Sequence, residues 1–581
     1  MRVVPALLLT AVISAGVISA GALPSPGGNV GNSIPSPAAP APVAQPVDSV
    51  TLHEEARAAL RDRLVRNRSH RATMERLDRV AEGIPGDDWV LRQRIAQRLL
   101  LQRFQEVDQI IEACAPERWW CHALALYRGT LVGDWDGAHR AAVQLEAHQP
   151  PSVACAWLDE AWHLLEGEAA RGWTGLDCRG REELVERLWW LSDPAHMEEA
   201  NPRKLEHLGR VVGMVLHHDE LDVLGNVCPM DHHRPVLREG WEDTGYWVVP
   251  SDPLLPRRSA PNRSWLPTRE VLDDPFGARS RDWRWDARPR AGGPGARLEG
   301  VTPTAALESH QVAVLPRGDS MEVHAAFRIP DPADDRRFPD SLPEGRAGMV
   351  LSAGPGERVV VRAPWPDPST REVRLSGALE ASPRLLSLEA LPGRTEVAED
   401  GTAWTEGGIF RERFGLPVPP EDGGLQLSDL VLFHWDPELP EEARAVVPRM
   451  QSSLHLDPGG RPTGIHWEVH GLAPGEEVRM TLVMEEVDAG RLRRLGRALR
   501  LVGPGSALEV SWTDWGPEPS GAETTGGPRP PSFLARSLRP SVPELREGMH
   551  LLELRVQTGD GRSARARRTV QVSGSPGAGP G

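Results

Sequence analysis

Lysine, tyrosine and clustered positive charge are what this chain most lacks. Lys204 is the only lysine, and tyrosine occurs twice against 20 tryptophans, so Trp must do most of the aromatic packing. Every other fixed cation is arginine, which reads as coding bias in a GC-rich genome. The net charge of −16 excludes a nucleic-acid surface, which needs clustered positive charge. Beyond the first 22 residues no stretch is apolar enough to span a bilayer. Catalytic motifs are missing as well. There is no G-x-S-x-G elbow to present a serine on a strand-to-helix turn. There is no H-E-x-x-H to set two imidazoles one helical turn apart, and no phosphate-cradling glycine loop. These absences argue against an enzyme and against a resident cofactor.

What is present begins at the N-terminus. Arg2 precedes an apolar run, Val3 to Ala22, that closes in Ala20-Gly21-Ala22. Positive start, apolar core and A-x-A end are the pattern of a secretory signal peptide over residues 1–22. The run is also just long enough to stay as an uncleaved anchor, the one way this chain would touch a membrane. Residues 23–50 form a Pro/Ala-rich disordered linker. The chain is therefore expected to be exported, to the periplasm, the cell envelope or the medium.

The rest divides by hydrophobic period. Residues 51–225 repeat at three and four, as in Ala56, Leu60, Leu64 and then Leu91, Ile95, Leu99. Clusters such as Ile84-Pro85-Gly86-Asp87 and His148-Gln149-Pro150-Pro151 break them into helix-length pieces. Cys121 to Pro150 has the spacing of a tetratricopeptide-type repeat, with Gly133 for close approach and Ala138 at the helix contact. Residues 226–300 hold no period and read as an irregular connector. From 301 the period becomes two. Hairpins are expected around 310–329, 348–362, 465–484 and 550–572, the last closed by an Asp-Gly turn. The expected fold is multidomain α plus β: an α-helical hairpin array followed by two antiparallel β-sandwiches, 301–435 and an immunoglobulin-like 436–575. Residues 576–581 are a disordered tail.

All five cysteines lie between Cys114 and Cys228. In an oxidising compartment they pair. Proximity across helix turns points to Cys114–Cys121 and Cys155–Cys178, leaving Cys228 over. Cys228 sits near His217, His218, His232 and His233, and these five are the candidate zinc ligands, since thiolate and neutral imidazole are its donors. Their spacing fits no established zinc pattern. A Cys228–His232 nucleophile is disfavoured by the same oxidising compartment. Arg317-Gly318-Asp319 reads as hairpin-turn chemistry. Trp119-Trp120 and Trp189-Trp190 read as helix packing.

Several strings resemble a group of exported bacterial proteins that join a helical-repeat region to C-terminal β-sandwiches. They are Leu188-Trp-Trp-Leu-Ser-Asp-Pro194, Asn201-Pro-Arg-Lys-Leu-Glu-His207, Ser309-His-Gln-Val-Ala-Val314 with Arg317-Gly-Asp-Ser320, and His466-Trp-Glu-Val-His-Gly-Leu472. The resemblance implies export and this architecture, and no activity. The expected function is that of a non-enzymatic protein-binding or scaffold protein of the envelope, its partner held by the helical array. Two alternatives stay open. One is a metal-dependent hydrolase with its site near residues 207–233. The other is a carbohydrate-binding protein using Trp435, Trp467, Trp512 and Trp515. The oligomeric state is not defined by the sequence.

Overall fold

The computed structural model describes residues 48–165, 167–225, 237, 267, 269–283, 304–331, 345–366, 369–392, 395–397, 403–405, 409–416, 424–438, 443–457, 461–487, 508–517, 533–540 and 547–573. The leader, the linker and most of the connector lie outside them. An N-terminal helical region is followed by antiparallel β-sheets.

Six helices form three antiparallel hairpins: α1 (Ser49–Arg66) with α2 (His70–Gly83), α3 (Asp88–Leu100) with α4 (Phe104–Glu112), and α5 (Trp119–Val132) with α6 (Trp135–His148). Four of these six start with a side-chain cap. Asp48, Ser69, Asp87 and Asp134 each accept a hydrogen bond from a first-turn amide, which satisfies a donor the helix cannot. Gly133 ends α5 with φ 75°, a left-handed conformation that suits glycine. The close approach expected of Gly133 belongs instead to Gly129, whose added Cβ would lie 3.0 Å from that of Ala138. Leu91, Ile95, Val107, Trp120, Leu124 and Leu145 fill the core between the hairpins.

Helices α7 (Pro151–Glu160), α8 (Gly167–Gly172) and α9 (Cys178–Ser192) follow, and α10 (Pro202–Asp222) is the longest. Disulfides join Cys114 to Cys121 and Cys155 to Cys178, with Cα separations of 6.2 and 5.7 Å. The first clips the α4–α5 turn and the second ties α7 to α9. Helix α10 does not extend the array. It lies across the odd-numbered helices. Gly209 packs on Thr130 of α5, Asp219 pairs with Arg92 of α3, and Asp222 pairs with Arg57 of α1. The α1, α3 and α5 face of the hairpins is thus covered in part by the chain itself.

In the β part, one sheet runs β1 (Thr304–Ala305), β10 (Ile409–Leu416), β7 (Arg384–Pro392), β4 (Gly345–Gly354), β5 (Glu357–Ala363). It faces a sheet of β2 (Ser309–Arg317), β3 (Ser320–Arg328) and β6 (Glu372–Glu380). Strict alternation puts Met321, Val323, Ala325 and Phe327 against Met349, Leu351, Leu386 and Leu388 in one core. A second pair of sheets encloses Leu432, Ile465, Trp467, Met480, Leu482, Leu552, Leu554 and Val570. Its first sheet holds β11 (Gln426–Leu427), β14 (Thr463–His470), β12 (Val431–His434) and β17 (Phe533–Leu538). Its second holds β13 (His455–Leu456), β19 (Ser563–Val572), β18 (Gly548–Thr558), β15 (Glu477–Glu486) and β16 (Leu508–Trp515).

The boundary expected at residue 435 falls earlier. Strands β11 and β12 pair antiparallel with β14, so residues from 426 on belong to the second sandwich. Alternation along 429–433 shows a strand but not its partner, which is why the sequence placed it with its neighbours in the chain. The two sandwiches abut through Ala313, Leu315, Val431, Phe433 and Met450.

Candidate functional site

The densest set of buried charge lies where the helical and β parts meet. It is built on the segment between α9 and α10, Asp193-Pro-Ala-His-Met-Glu-Glu-Ala-Asn201. Pro194 cannot continue α9, so the chain leaves the helix there. The Asp193 carboxylate accepts from the Ala195 amide at 3.0 Å. Asn201 opens α10 by accepting from the amides of Arg203 and Lys204 at 3.0 and 3.2 Å, and donates to the Trp189 carbonyl at 2.7 Å. Between these points the segment runs as a strap with most of its length buried.

The strap lies on the outer face of the first sheet. Register brings Arg411 of β10, Glu389 of β7, Gly348 of β4 and Arg362 of β5 into one row across the strands. Ser387 and Arg413 stand in the next row. The Glu389 carboxylate, fully buried, accepts from the main-chain amides of His196 and Met197 at 2.9 and 2.8 Å. It also accepts from Ser387 Oγ at 2.5 Å and from Arg413 Nη2 at 3.1 Å. The guanidiniums point the other way, onto carbonyls. Arg411 donates to Asp193 and Pro194, both at 2.9 Å. Arg358 donates to His196 and Glu198 at 2.7 and 2.5 Å, and Arg362 to Met197 at 3.0 Å. Gly348 leaves room for the Met197 side chain; an added Cβ would lie 2.4 Å from its sulfur.

The connector joins the same junction. Helix α11 (Arg269–Asp273) and the turn at Ser280–Trp283 pack Val271, Ala278 and Trp283 against Leu191 and Leu385. The backbone of Phe276 presses on Gly415, and the Gly415 amide donates to the Ala278 carbonyl at 2.8 Å.

Burial sets the protonation states here. It pushes the Asp193 carboxyl up to about 8, against the pull of Arg413. It holds His196 well below the ordinary imidazole range, with Arg413 adding to the effect. It lowers His207, packed 5.1 Å from the Trp189 ring, to about 3, and Arg210 acts in the same direction. These are neutral groups in a dry junction. Asp193 and His196 hold main-chain groups, the Ala195 amide and the Trp190 carbonyl, while His207 packs on the Trp189 ring.

Of the sequence-derived metal candidates, His217 and His218 lie on α10, the first half-buried and the second exposed. Cys228, His232 and His233 lie outside the described residues. Among the described residues no three His, Cys, Asp or Glu side chains converge as a metal site would need. The tryptophans offered as a glycan platform are mostly packing. Trp467 is 1% exposed, Trp512 sits 5.9 Å from it, and Trp435 sits 5.8 Å from Phe433. Trp515 is exposed. Arg317 of the Arg-Gly-Asp turn is drawn into the contact between sandwiches, ion-paired with buried Glu468 and 4.8 Å from the Phe533 ring.

Sequence reasoning missed Glu389, Arg358, Arg362, Arg411 and Arg413. A signal existed in Ile409-Phe-Arg-Glu-Arg-Phe414, where aromatic residues bracket three charges in an otherwise apolar strand.

No family model matches this chain, and no curated protein matches it. Similar solved structures include a tetra-tandem repeat in the extending region of a large adhesion protein, at 12% identity over 46% of this chain and 49% of that one, TM-score 0.13. A DUF4785 family protein from Legionella pneumophila is 10% identical over 45% and 56%, TM-score 0.14. A β-glucuronidase from Bacteroides uniformis is 11% identical over 44% and 26%, TM-score 0.16. The chain spans from about a quarter to just over half of these chains. Likenesses of this size carry no conclusion about activity.

Proposed function

We propose that the protein is an exported, non-enzymatic scaffold of the cell envelope that holds a protein partner. The observation that supports it is the junction. Four charged side chains of one sheet grip the main chain of the strap and Arg413 braces one of them, Glu389, which makes the helical and β parts one body rather than beads on a linker. A scaffold needs that rigidity to present surfaces at fixed separations. The disulfides fit an oxidising compartment. Among the described residues no helix is long and apolar enough to cross a membrane.

The test is in-cell photo-crosslinking of the exported chain, with the probe placed in turn on exposed residues of α1–α6, the two sandwiches and the 207–233 region. Repeated crosslinks from one patch to a single envelope protein are the expected result. Turnover of ester, peptide or glycoside substrates by the purified chain, abolished by a chelator, overturns it in favour of the metal-dependent hydrolase. Crosslinks to glycan alone, centred on Trp515, favour the carbohydrate-binding alternative.

A further inference from the structure

We propose that the face formed by α1 and α3 is a receptor for acidic helical segments, and that the last turns of α10 occupy it in cis. This rests on reading the chain as a protein-binding scaffold and names the chemistry of what it binds.

The face is arginine-rich in a chain of net charge −16. Arg57, Arg61 and Arg63 come from α1 and Arg92 from α3, and all four meet the end of α10. Arg92 grips Asp219 with two nitrogens, at 2.6 and 3.3 Å. Arg57 donates to Asp222 at 2.9 Å, and Arg63 pairs with Glu220. Arg61 caps the end of the helix by donating to the Val223 carbonyl at 3.0 Å. Two guanidiniums are also backed by rings: Arg92 lies 4.3 Å from Trp120, and Arg57 lies 5.7 Å from Trp89, which itself meets His53 at 5.0 Å. Flat rings hold guanidinium planes in place for forked contact with carboxylates.

Taken alone, the acidic end of α10 is locally unfavourable. Asp219, Glu220 and Asp222 crowd the C-terminus of a helix, where the macrodipole already concentrates negative charge. Their placement is accounted for by the arginine face and not by the helix. The two halves of α10 differ accordingly. Leu205, Val212 and Leu216 anchor the first part in the apolar core, whereas the end is held by charge.

On α3, next to Arg92, one buried amide is left unmatched. Gln93 and Gln97 of α3 are completely buried; Gln97 meets His70, whereas no described group completes the hydrogen bonds of the Gln93 amide. His70 also feels the charge of Arg63, the partner of Glu220. Leaving buried amides unmatched is costly, and native structures do so rarely. An occupant that satisfies the charges but leaves Gln93 unmatched is displaceable by one that satisfies both.

The experiment uses the full mature chain and a fluorescein-labelled peptide of residues 213–224. In the parent, α10 competes. In the variant Asp219→Asn/Glu220→Gln/Asp222→Asn the cis contact is weakened at unchanged shape. Anisotropy titration is expected to show at least roughly tenfold tighter peptide binding to this variant than to the parent, weakening as salt screens the charges. Adding Arg57→Ala and Arg92→Ala abolishes it, and a peptide carrying the same Asn/Gln changes does not bind. Absence of peptide binding to a triple variant that melts and absorbs like the parent overturns the proposal. So does a triple variant that fails to fold, since the acidic end is then plain structure. Crosslinks to a partner from another face would leave the scaffold reading standing while this inference fell.

Discussion

Glu389→Ala should release the strap. The substitution removes one carboxylate that now serves four donors: the His196 and Met197 amides, the Ser387 hydroxyl and the Arg413 guanidinium. Arg413 is 1% exposed, so it is left as a buried cation without its ion pair, a loss of roughly 3–5 kcal/mol in comparable cases. The two orphaned amides would add roughly 1–3 kcal/mol each if they stayed buried. They need not, because the strap can lift and meet water, so the cost is capped by the docking free energy. We expect about 4 kcal/mol of local destabilisation, toward the ion-pair figure and not the full sum. Hydrogen exchange at the amides of His196 and Met197 reads this directly. Protection should fall roughly a thousandfold, since each 1.4 kcal/mol is a factor of ten. Glu199→Gln, on an exposed residue of the same strap, is the control and should change nothing. Replacing the pair together, Glu389→Leu with Arg413→Met, restores only the part due to the stranded cation, because the two amides still lack an acceptor. A fall of less than tenfold in Glu389→Ala would refute the view that this carboxylate holds the junction.

Gly415→Ala places a Cβ 1.7 Å from the Phe276 carbonyl oxygen, where neither backbone can yield easily; differential scanning fluorimetry should show a lower Tm, at or above the upper end of the roughly 1–3 kcal/mol typical of overpacking. Cys155→Ser with Cys178→Ser opens a 23-residue separation and Cys114→Ser with Cys121→Ser a 7-residue one, so chemical denaturation should cost the first about 3 and the second about 2 kcal/mol on the chain-entropy model. His207 is neutral when folded, with its pKa lowered from 6.5 to about 3 by burial. Its contribution is present above pH 6.5 and is lost as pH falls toward 3, because the unfolded chain takes up the proton first. His207→Leu should therefore flatten that acid limb in urea titrations run across pH; an unchanged limb would count against burial as the cause.

Much of the β architecture was legible because alternation is a local property. The strands of 309–328, 345–363, 477–486 and 548–572 follow the period of two and their turn residues. Strand β10 was not legible, since its charged centre reads as solvated until a second layer is known to cover it. The assignment of 431–434 failed for a related reason: pairing across a sheet is not written in a strand's own pattern. In the helical part, hairpins could be read from period and breakers. That α10 turns back over the odd-numbered helices could not, because Asp219, Glu220 and Asp222 look like any acidic helix end until Arg57, Arg63 and Arg92 are seen opposite them. The junction was not legible in the sequence. The side chains that build it lie 160 to 218 positions along the chain from the strap atoms they grip.

The strap is held by what every amino acid shares. Its amides and carbonyls carry most of the grip; the side chains that add to it are Met197 above Gly348, His196 on the Trp190 carbonyl, Glu198 beside Arg346, and Asp193 and Asn201 at the ends. Such a joint tolerates spelling changes and punishes changes of count. Swapping the exposed Glu199 for another residue leaves the ladder of contacts in step, whereas inserting or deleting one residue slides the amides past their carboxylate. The joint measures length, and the spacing between the helical and β parts is written into that measure.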